Sequence, residues 1–128
     1  VNIATVPAKQ PGIYNPHYIA AKAAMINLSK YLANSYATDG ILVNAICPGS
    51  IEGEVWQRGV KDRASRLNLS EEVADQMIRK ELAFKVPLGR PGKPEEIAKY
   101  VAFLCSRHAS FITGTCISID GGMTKSIF

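Results

Sequence analysis

One continuous strand-like run, Ile41 to Ile46, constrains this chain more than any other feature: it is fenced by Asp39-Gly40 before it and Pro48-Gly49 after it. Strands that read as near-continuous apolar runs are typically buried on both faces of a parallel sheet. A parallel neighbour has to be reached by a long crossover, usually a helix, and helical patterns stand in the required places. From His17 to Tyr36, the residues Ala21, Ala24, Leu28, Tyr31, Leu32 and Ser35 recur at three- and four-residue steps, the period of an amphipathic helix. Pro16 suits its first turn, where a missing N–H costs nothing. Ser70 can cap a further helix whose first turn holds Glu71 and Glu72 and whose apolar face is Val73, Met77, Ile78, Leu82 and Phe84. Ile97, Val101 and Leu104, flanked by Ala98, Ala102 and Cys105, pattern another. Val1 to Thr5 reads as the end of a strand, and Thr115 to Ile119 as a last strand before Asp120-Gly121-Gly122. Pro7 to Pro16 and Pro87 to Pro94 are loops, and Ser50 to Leu69 is polar and irregular with a possible basic helix. This alternation predicts an α/β fold with a doubly wound parallel sheet and about three strands.

Composition narrows the function classes. At 128 residues, with 47% hydrophobic and 20% charged residues, the chain is one globular domain or a large piece of one. No stretch approaches the roughly 20 apolar residues of a membrane span. Fifteen basic against eleven acidic residues give a net charge of +4, but the positives form no stripe interleaved with aromatics, so a nucleic-acid partner is not expected. Arg58, Lys61, Arg63 and Arg66 read as a solvated helix face; the alternative is that they attract an anionic substrate such as a phosphopantetheine thioester. Three cysteines match no zinc spacing; Cys47 and Cys116 lie in strands and Cys105 on an apolar helix face, which predicts reduced, buried thiols and a cytoplasmic location. In that context Cys47 reads as an inert thiol rather than a nucleophile. No leader of signal-peptide type is visible, and Val1 stands inside an apolar segment, so a piece of a longer chain is expected.

In open parallel sheets, ligands sit beyond the carboxyl ends of the strands. Those ends are Thr5, Cys47-Pro48-Gly49-Ser50 and Asp120-Gly121-Gly122. Near the first stand Tyr18 and Lys22, one helical turn apart on one face. A phenol ionises at about 10 in isolation, and a neighbouring ammonium group favours the phenolate. Such a phenol can move a proton at an alcohol or carbonyl oxygen, and the Thr5 hydroxyl could hold the same oxygen. A tyrosine and a lysine four apart are by themselves as consistent with surface decoration; the weight comes from what accompanies them.

Tyr18-Ile19-Ala20-Ala21-Lys22, the strand Val43-Asn44-Ala45-Ile46 running into Cys47-Pro48-Gly49, the stretch from Pro87-Leu88-Gly89-Arg90 to Ile97-Ala98, and the closing Ile112-Thr113-Gly114 with Asp120-Gly121-Gly122 follow in that order. Together they resemble the C-terminal half of the short-chain dehydrogenase/reductase catalytic domain, over nearly all of the chain. The resemblance implies that 1–128 is the C-terminal part of a single Rossmann-like domain, with a variable substrate lid at about 50–86. It implies NAD(P)-dependent interconversion of a secondary alcohol and a ketone, of 3-oxoacyl, sugar, polyol or similar type, with NAD or NADP as cofactor. Tyr18 would be the general acid/base, and Lys22 would acidify it and bind the nicotinamide ribose. Thr5 would hold the substrate oxygen in place of the family's usual serine. Pro48, Gly49, Ser50 and Ile51 would pass beside the nicotinamide, while Gly53 replaces a threonine found in many relatives. Homo-oligomers, dimers or tetramers, would form through the Tyr18–Tyr36 helix and the last strand. The family's glycine-rich phosphate loop would precede Val1, so this segment alone is expected to expose a sheet edge and to lack activity. A catalytically inactive or truncated relative acting as a binding or scaffold chain is the alternative. His17 reads as a helix-start residue, the alternative being that it touches substrate, and His108 as a loop or helix-end residue.

Overall fold

A computed structural model describes residues 1–126. Its sheet has three parallel strands in the order β1 (Asn2–Ile3), β2 (Ala45–Pro48), β3 (Cys116–Ile119). The crossover from β1 to β2 carries helix α1 (Pro16–Tyr36), and that from β2 to β3 carries α2 (Glu54–Leu67), α3 (Glu71–Ala83) and α4 (Pro94–Leu104). Successive side chains of β2 point to opposite faces. Cys47 packs with Ala4, Val6, Cys116 and Ile26 of α1, and Ile46 packs with Leu104, Ala109 and residues of α4. Helices therefore cover both faces, as the doubly wound reading requires. The α2–α3 hairpin builds a separate small core from Val60, Ala64 and Ala74. No helix among the described residues is long and apolar enough to cross a membrane.

The strands are shorter than their sequence patterns. The central one begins at Ala45, not Ile41, and Ile41 and Leu42 stand exposed. The reason lies in Asn44, which is buried. Its Nδ2 donates to the Ile112 carbonyl at 2.8 Å, and its Oδ1 accepts from the Thr115 N–H at 3.1 Å and the Thr115 hydroxyl at 2.8 Å. Beside it the Val43 N–H donates to Thr113 Oγ1 at 3.0 Å. Side chains thus join two backbone bonds, Gly114 N–H to the Val43 carbonyl and Asn2 N–H to the Asn44 carbonyl, both at 2.8 Å, in tying residues 43–44 to their neighbours, and the regular ladder starts at Ala45. The first strand likewise covers Asn2–Ile3 rather than Val1–Thr5, because Thr5 already opens a short 3-10 turn at Val6–Ala8. The last begins at Cys116 rather than Thr115.

Three helical faces also differ from the pattern. In α1 the stripe of Ala21, Ala24, Leu28 and Tyr31 points outward, and Ile26, Ser29 and Ala33 meet the sheet. Small side chains let the helix come close enough for Asn2 Nδ2 to reach Ser29 Oγ at 2.9 Å, while that hydroxyl donates to the Met25 carbonyl at 2.7 Å. In α3 the buried face centres on Ala74 and Leu82; Val73, Met77 and Phe84 are exposed. Cys105 is exposed at the end of α4 rather than buried, since Tyr100 and Val101 turn inward instead. Within Ser50–Leu69, read as polar and irregular with a possible basic helix, residues 54–67 form a regular helix.

Replacing Asn44 with Leu would take away the partner of three part-buried groups, the Ile112 carbonyl and the Thr115 N–H and hydroxyl. Each such loss costs about 1–3 kcal/mol when burial is complete; at the lower end, which suits part-buried groups, Asn44→Leu is expected to lower stability by about 3 kcal/mol. The check is the urea-unfolding midpoint of the full-length protein; an unchanged midpoint would contradict this role.

Candidate active site

Beyond the carboxyl ends of β1 and β2 lies a cleft of about 840 Å³. The end of β1 contributes Ile3, Ala4 and Thr5, and the start of α1 contributes Asn15 and Tyr18. The chain leaving β2 contributes Pro48 to Gly53, and α2 adds Glu54, Val55 and Trp56. Pro94 and Ile97 close the α4 side. One cleft therefore brings together Thr5, Tyr18, Pro48, Gly49, Ser50 and Ile51. Lys22 stands behind it: its ammonium donates to the Ile3 carbonyl at 2.7 Å and lies 5.9 Å from the centroid of the Tyr18 ring. His17 and the basic residues Arg58, Lys61, Arg63 and Arg66 are not among the lining residues. Tyr18 reaches the cleft because the chain turns at Asn15, whose left-handed backbone (φ 53°) precedes Pro16 at the start of α1. Asparagine is one of the few residues that enter that region readily.

The segment after β2 is fixed from several directions. Gly49 lies so close to β3 that a Cβ there would sit 2.7 Å from Asp120 Cβ and 2.8 Å from Asp120 Cα. Only glycine permits this contact. Next, Ile51 forms a parallel bridge with Gly92, made by Gly92 N–H to the Ser50 carbonyl and Glu52 N–H to the Gly92 carbonyl, both at 2.9 Å. In such a bridge the flanking residues bond the neighbour, and the N–H and C=O of Ile51 itself point the other way, with no hydrogen-bond partner among the described residues. The loop carrying Gly92 is held by Glu96, which accepts from both terminal nitrogens of Arg90 at 2.8 and 2.7 Å and from the Lys93 N–H at 2.8 Å. The Arg90 bonds, and then the Lys93 amide, hold the Glu96 carboxyl down to about 2. Past β3, Asp120 accepts from the Gly122 N–H at 3.0 Å and from the Thr124 N–H at 2.8 Å. Burial raises its carboxyl, but the hydrogen bonds from Thr124 and the neighbouring amides prevail and leave it below the ordinary range. That turn fixes the partner against which Gly49 rests.

Cys47 is fully buried, with its sulfur 3.4 Å from that of Cys116. Burial, followed by the hydrogen bond to Cys116, pushes its thiol up to about 12, so it stays protonated and is no nucleophile. Sequence reasoning missed Trp56, Asn15 and the pair Glu52 and Arg79. The i,i+4 spacing of Asp75 and Arg79 was visible, but nothing in the sequence linked it to Glu52, twenty-three residues before Asp75.

Parallel strands, helices on both faces and a cleft beyond the strand ends define an open α/β sheet of the dinucleotide-binding kind. The chain belongs to the short-chain dehydrogenase/reductase family: a family model described as enoyl-(acyl carrier protein) reductase matches residues 1–124. It is 38% identical over 122 residues to acetoacetyl-CoA reductase of Rhizobium meliloti (strain 1021), covering 95% of this chain and 45% of that protein. L-sorbose reductase from Gluconobacter frateurii, solved with NADPH and L-sorbose, matches at 33% identity with a TM-score of 0.89, covering 98% of this chain and 46% of that one. A 4-hydroxyisoleucine dehydrogenase solved with NADH matches at 30% identity with a TM-score of 0.73, over 98% of this chain and 46% of that one. The chain thus spans about half the length of the proteins it matches. The family is NAD(P)-dependent, and both forms of the cofactor, NADPH and NADH, occur in these neighbours.

Two outcomes follow from the geometry around Ser50–Glu52. Gly49→Ala is expected to push β2 and β3 apart at Asp120, costing about 1–3 kcal/mol and weakening NAD(P)H binding; equal stability and affinity would show that the contact is not needed. The second concerns pH. The folded value of Glu96, about 2, lies below its ordinary 4.5, so its clamp is fully present above about pH 4.5 and is lost as pH falls toward 2. Carbon-13 NMR of the Glu96 carboxyl is expected to show an inflection near 2, and one near 4.5 would refute the clamp.

Proposed function

We propose that this segment is the C-terminal part of one Rossmann-like oxidoreductase domain, and that it supplies the proton-transfer residues and the nicotinamide end of the cofactor site. The observation that carries this reading is the single cleft shared by Thr5, Tyr18 and Pro48–Ile51. The residues fit one end of a dinucleotide. The unpartnered peptide groups of Ile51 suit a carboxamide, which needs one donor and one acceptor, and the apolar Ile51, Pro94 and Ile97 suit a flat ring. The charged side chains lining the cleft are Glu52 and Glu54, which would repel phosphates, so the pyrophosphate end needs residues from elsewhere.

When bound, NAD or NADP would supply or accept the hydride. The Thr5 and Tyr18 hydroxyls hold the substrate oxygen. In reduction Tyr18 gives its phenolic proton to that oxygen as the carbon gains the hydride, and the ketone becomes a secondary alcohol; in oxidation the phenolate takes the proton back. Lys22, anchored on Ile3, keeps a positive charge beside the ring and stabilises that phenolate. The hairpin α2–α3 falls within residues 50–86 and acts as the substrate lid. The outward Leu28 and Tyr31 of α1, 51% and 64% exposed, give a second copy of the chain an apolar surface, consistent with a dimer or tetramer. The protein works in the cytoplasm, where its thiols stay reduced.

The alternative, a catalytically inactive relative acting as a binding chain, is favoured by Gly53. A Cβ there would meet nothing within 4 Å and its backbone is extended, so the threonine of relatives would fit, yet is absent. Tyr18→Phe in the full-length protein separates the readings. Turnover is expected to fall by about 10²–10⁴-fold while the Kd for NAD(P)H changes little. Undiminished turnover refutes Tyr18 as the acid/base, and saturable cofactor binding with no wild-type turnover favours the binding chain.

A further inference from the structure

We infer that Trp56 is the specificity-determining wall of the cleft, held in position by Asp75 and Arg79, and that it selects an uncharged carbonyl or alcohol substrate with an apolar flank. This rests on the oxidoreductase reading above. Trp56 is the single tryptophan of the chain, and it is half-buried and lines the cleft from the first turns of α2. Its indole Nε1 donates to Asp75 Oδ1 at 2.7 Å. The other Asp75 oxygen accepts from Arg79 Nε at 2.6 Å, and Arg79 Nη1 reaches Glu52 Oε1, also at 2.6 Å. The Arg79 guanidinium lies over the indole, 5.2 Å from the ring centroid.

The indole is thus pinned at its N–H, covered by a cation, and linked through Arg79 to Glu52, the residue that follows Ile51. Partly exposed ion pairs of this kind contribute little to stability. What they fix is orientation, and here they fix the one large aromatic surface that α2 offers to the cleft. A substrate whose oxygen rests at Thr5 and Tyr18 can lay an apolar flank along that surface. Charge argues the same way. Glu52 and Glu54 line the cleft without any lysine or arginine, and two of the nearby cations are committed elsewhere, Arg63 to Glu81 and Arg66 to Asp62. Arg79 already balances Glu52, and Glu54 has no ion-pair partner among the described residues, so the lining disfavours an anionic substrate relative to an uncharged one.

Ethyl acetoacetate and acetoacetate serve as an uncharged and an anionic probe of the same carbonyl, used with the full-length protein and NAD(P)H. The ester is expected to be the better substrate by about 10-fold or more in kcat/KM. Trp56→Ala is expected to raise KM for the ester about 10-fold, the scale of a lost apolar contact, and to leave KM for NAD(P)H within about twofold. Asp75→Leu should do the same, and Asp75→Asn, which keeps one acceptor for the indole N–H but sets an NH2 against the Arg79 Nε–H, should give a KM for the ester between those of Asp75→Leu and the wild type. Binding is read separately from turnover: Trp56 emission, taken as wild type minus Trp56→Phe, should be quenched saturably by the ester. Saturable quenching without turnover would uphold this inference and sink the proposed reaction. Turnover with unaltered emission and an unchanged KM in Trp56→Ala would overturn the inference and leave the reaction standing. A preference for the anion, or equal changes in cofactor and substrate KM, would also overturn it.

Discussion

Burial of the β2 backbone on every side is the constraint from which the other features follow. Ala45, Ile46 and Cys47 have no exposed surface; strands pair along both edges and helices cover both faces. Inside such an environment a peptide group left without a partner is costly, so the strand has no alternative register. Its exit at Pro48-Gly49 is thereby set, and the contact of Gly49 with Asp120 sets it again from the β3 side. Asn44 does the corresponding work at the entry, where the chain has left the ladder but is still buried.

The cleft inherits this rigidity unevenly. Its β2 side is tied to the Gly92 loop, which is tied in turn to Arg90 and Glu96, and the next residue, Glu52, is tied to α3. Groups meant to face a ring and its carboxamide gain from being fixed before the ligand arrives, because no ordering cost is then due on binding. The α1 side is freer. Tyr18 is 45% exposed, and Lys22, one helical turn on, bonds the Ile3 carbonyl at the end of β1. The α2–α3 hairpin carries its own small core and meets the rest of the cleft through polar links, an arrangement suited to a lid that moves as a unit.

Much of this was legible in the sequence, for identifiable reasons. Parallel architecture follows from an apolar run between two helical crossovers, and the strand ends follow from Pro48-Gly49 and Asp120-Gly121-Gly122. Tyr18, Thr5 and Ser50 could be placed together because ligands gather at strand ends in such sheets. Helix faces were less legible. In α1 two stripes compete, and hydrophobicity favours Leu28 and Tyr31, whereas the sheet takes Ser29 and Ala33 because small residues allow close approach. Side chains that take over part of the pairing at a strand's entry, as Asn44 does with Ile112 and Thr115, leave no mark in the strand's pattern. Trp56 and its supports were illegible because Glu52, Asp75 and Arg79 meet only once α2 and α3 fold against each other.

The most direct test of the account uses isoleucine methyl groups labelled with carbon-13 in the full-length protein, titrated with NADPH and with NADH. Ile51 and Ile97 line the cleft, whereas Ile13 and Ile78 lie outside it. The account predicts saturable shifts at Ile51 and Ile97 with either cofactor, with Ile13 and Ile78 unmoved. Saturable binding that leaves Ile51 and Ile97 unshifted would contradict it, because the ring would then lie somewhere other than the exit of the central strand.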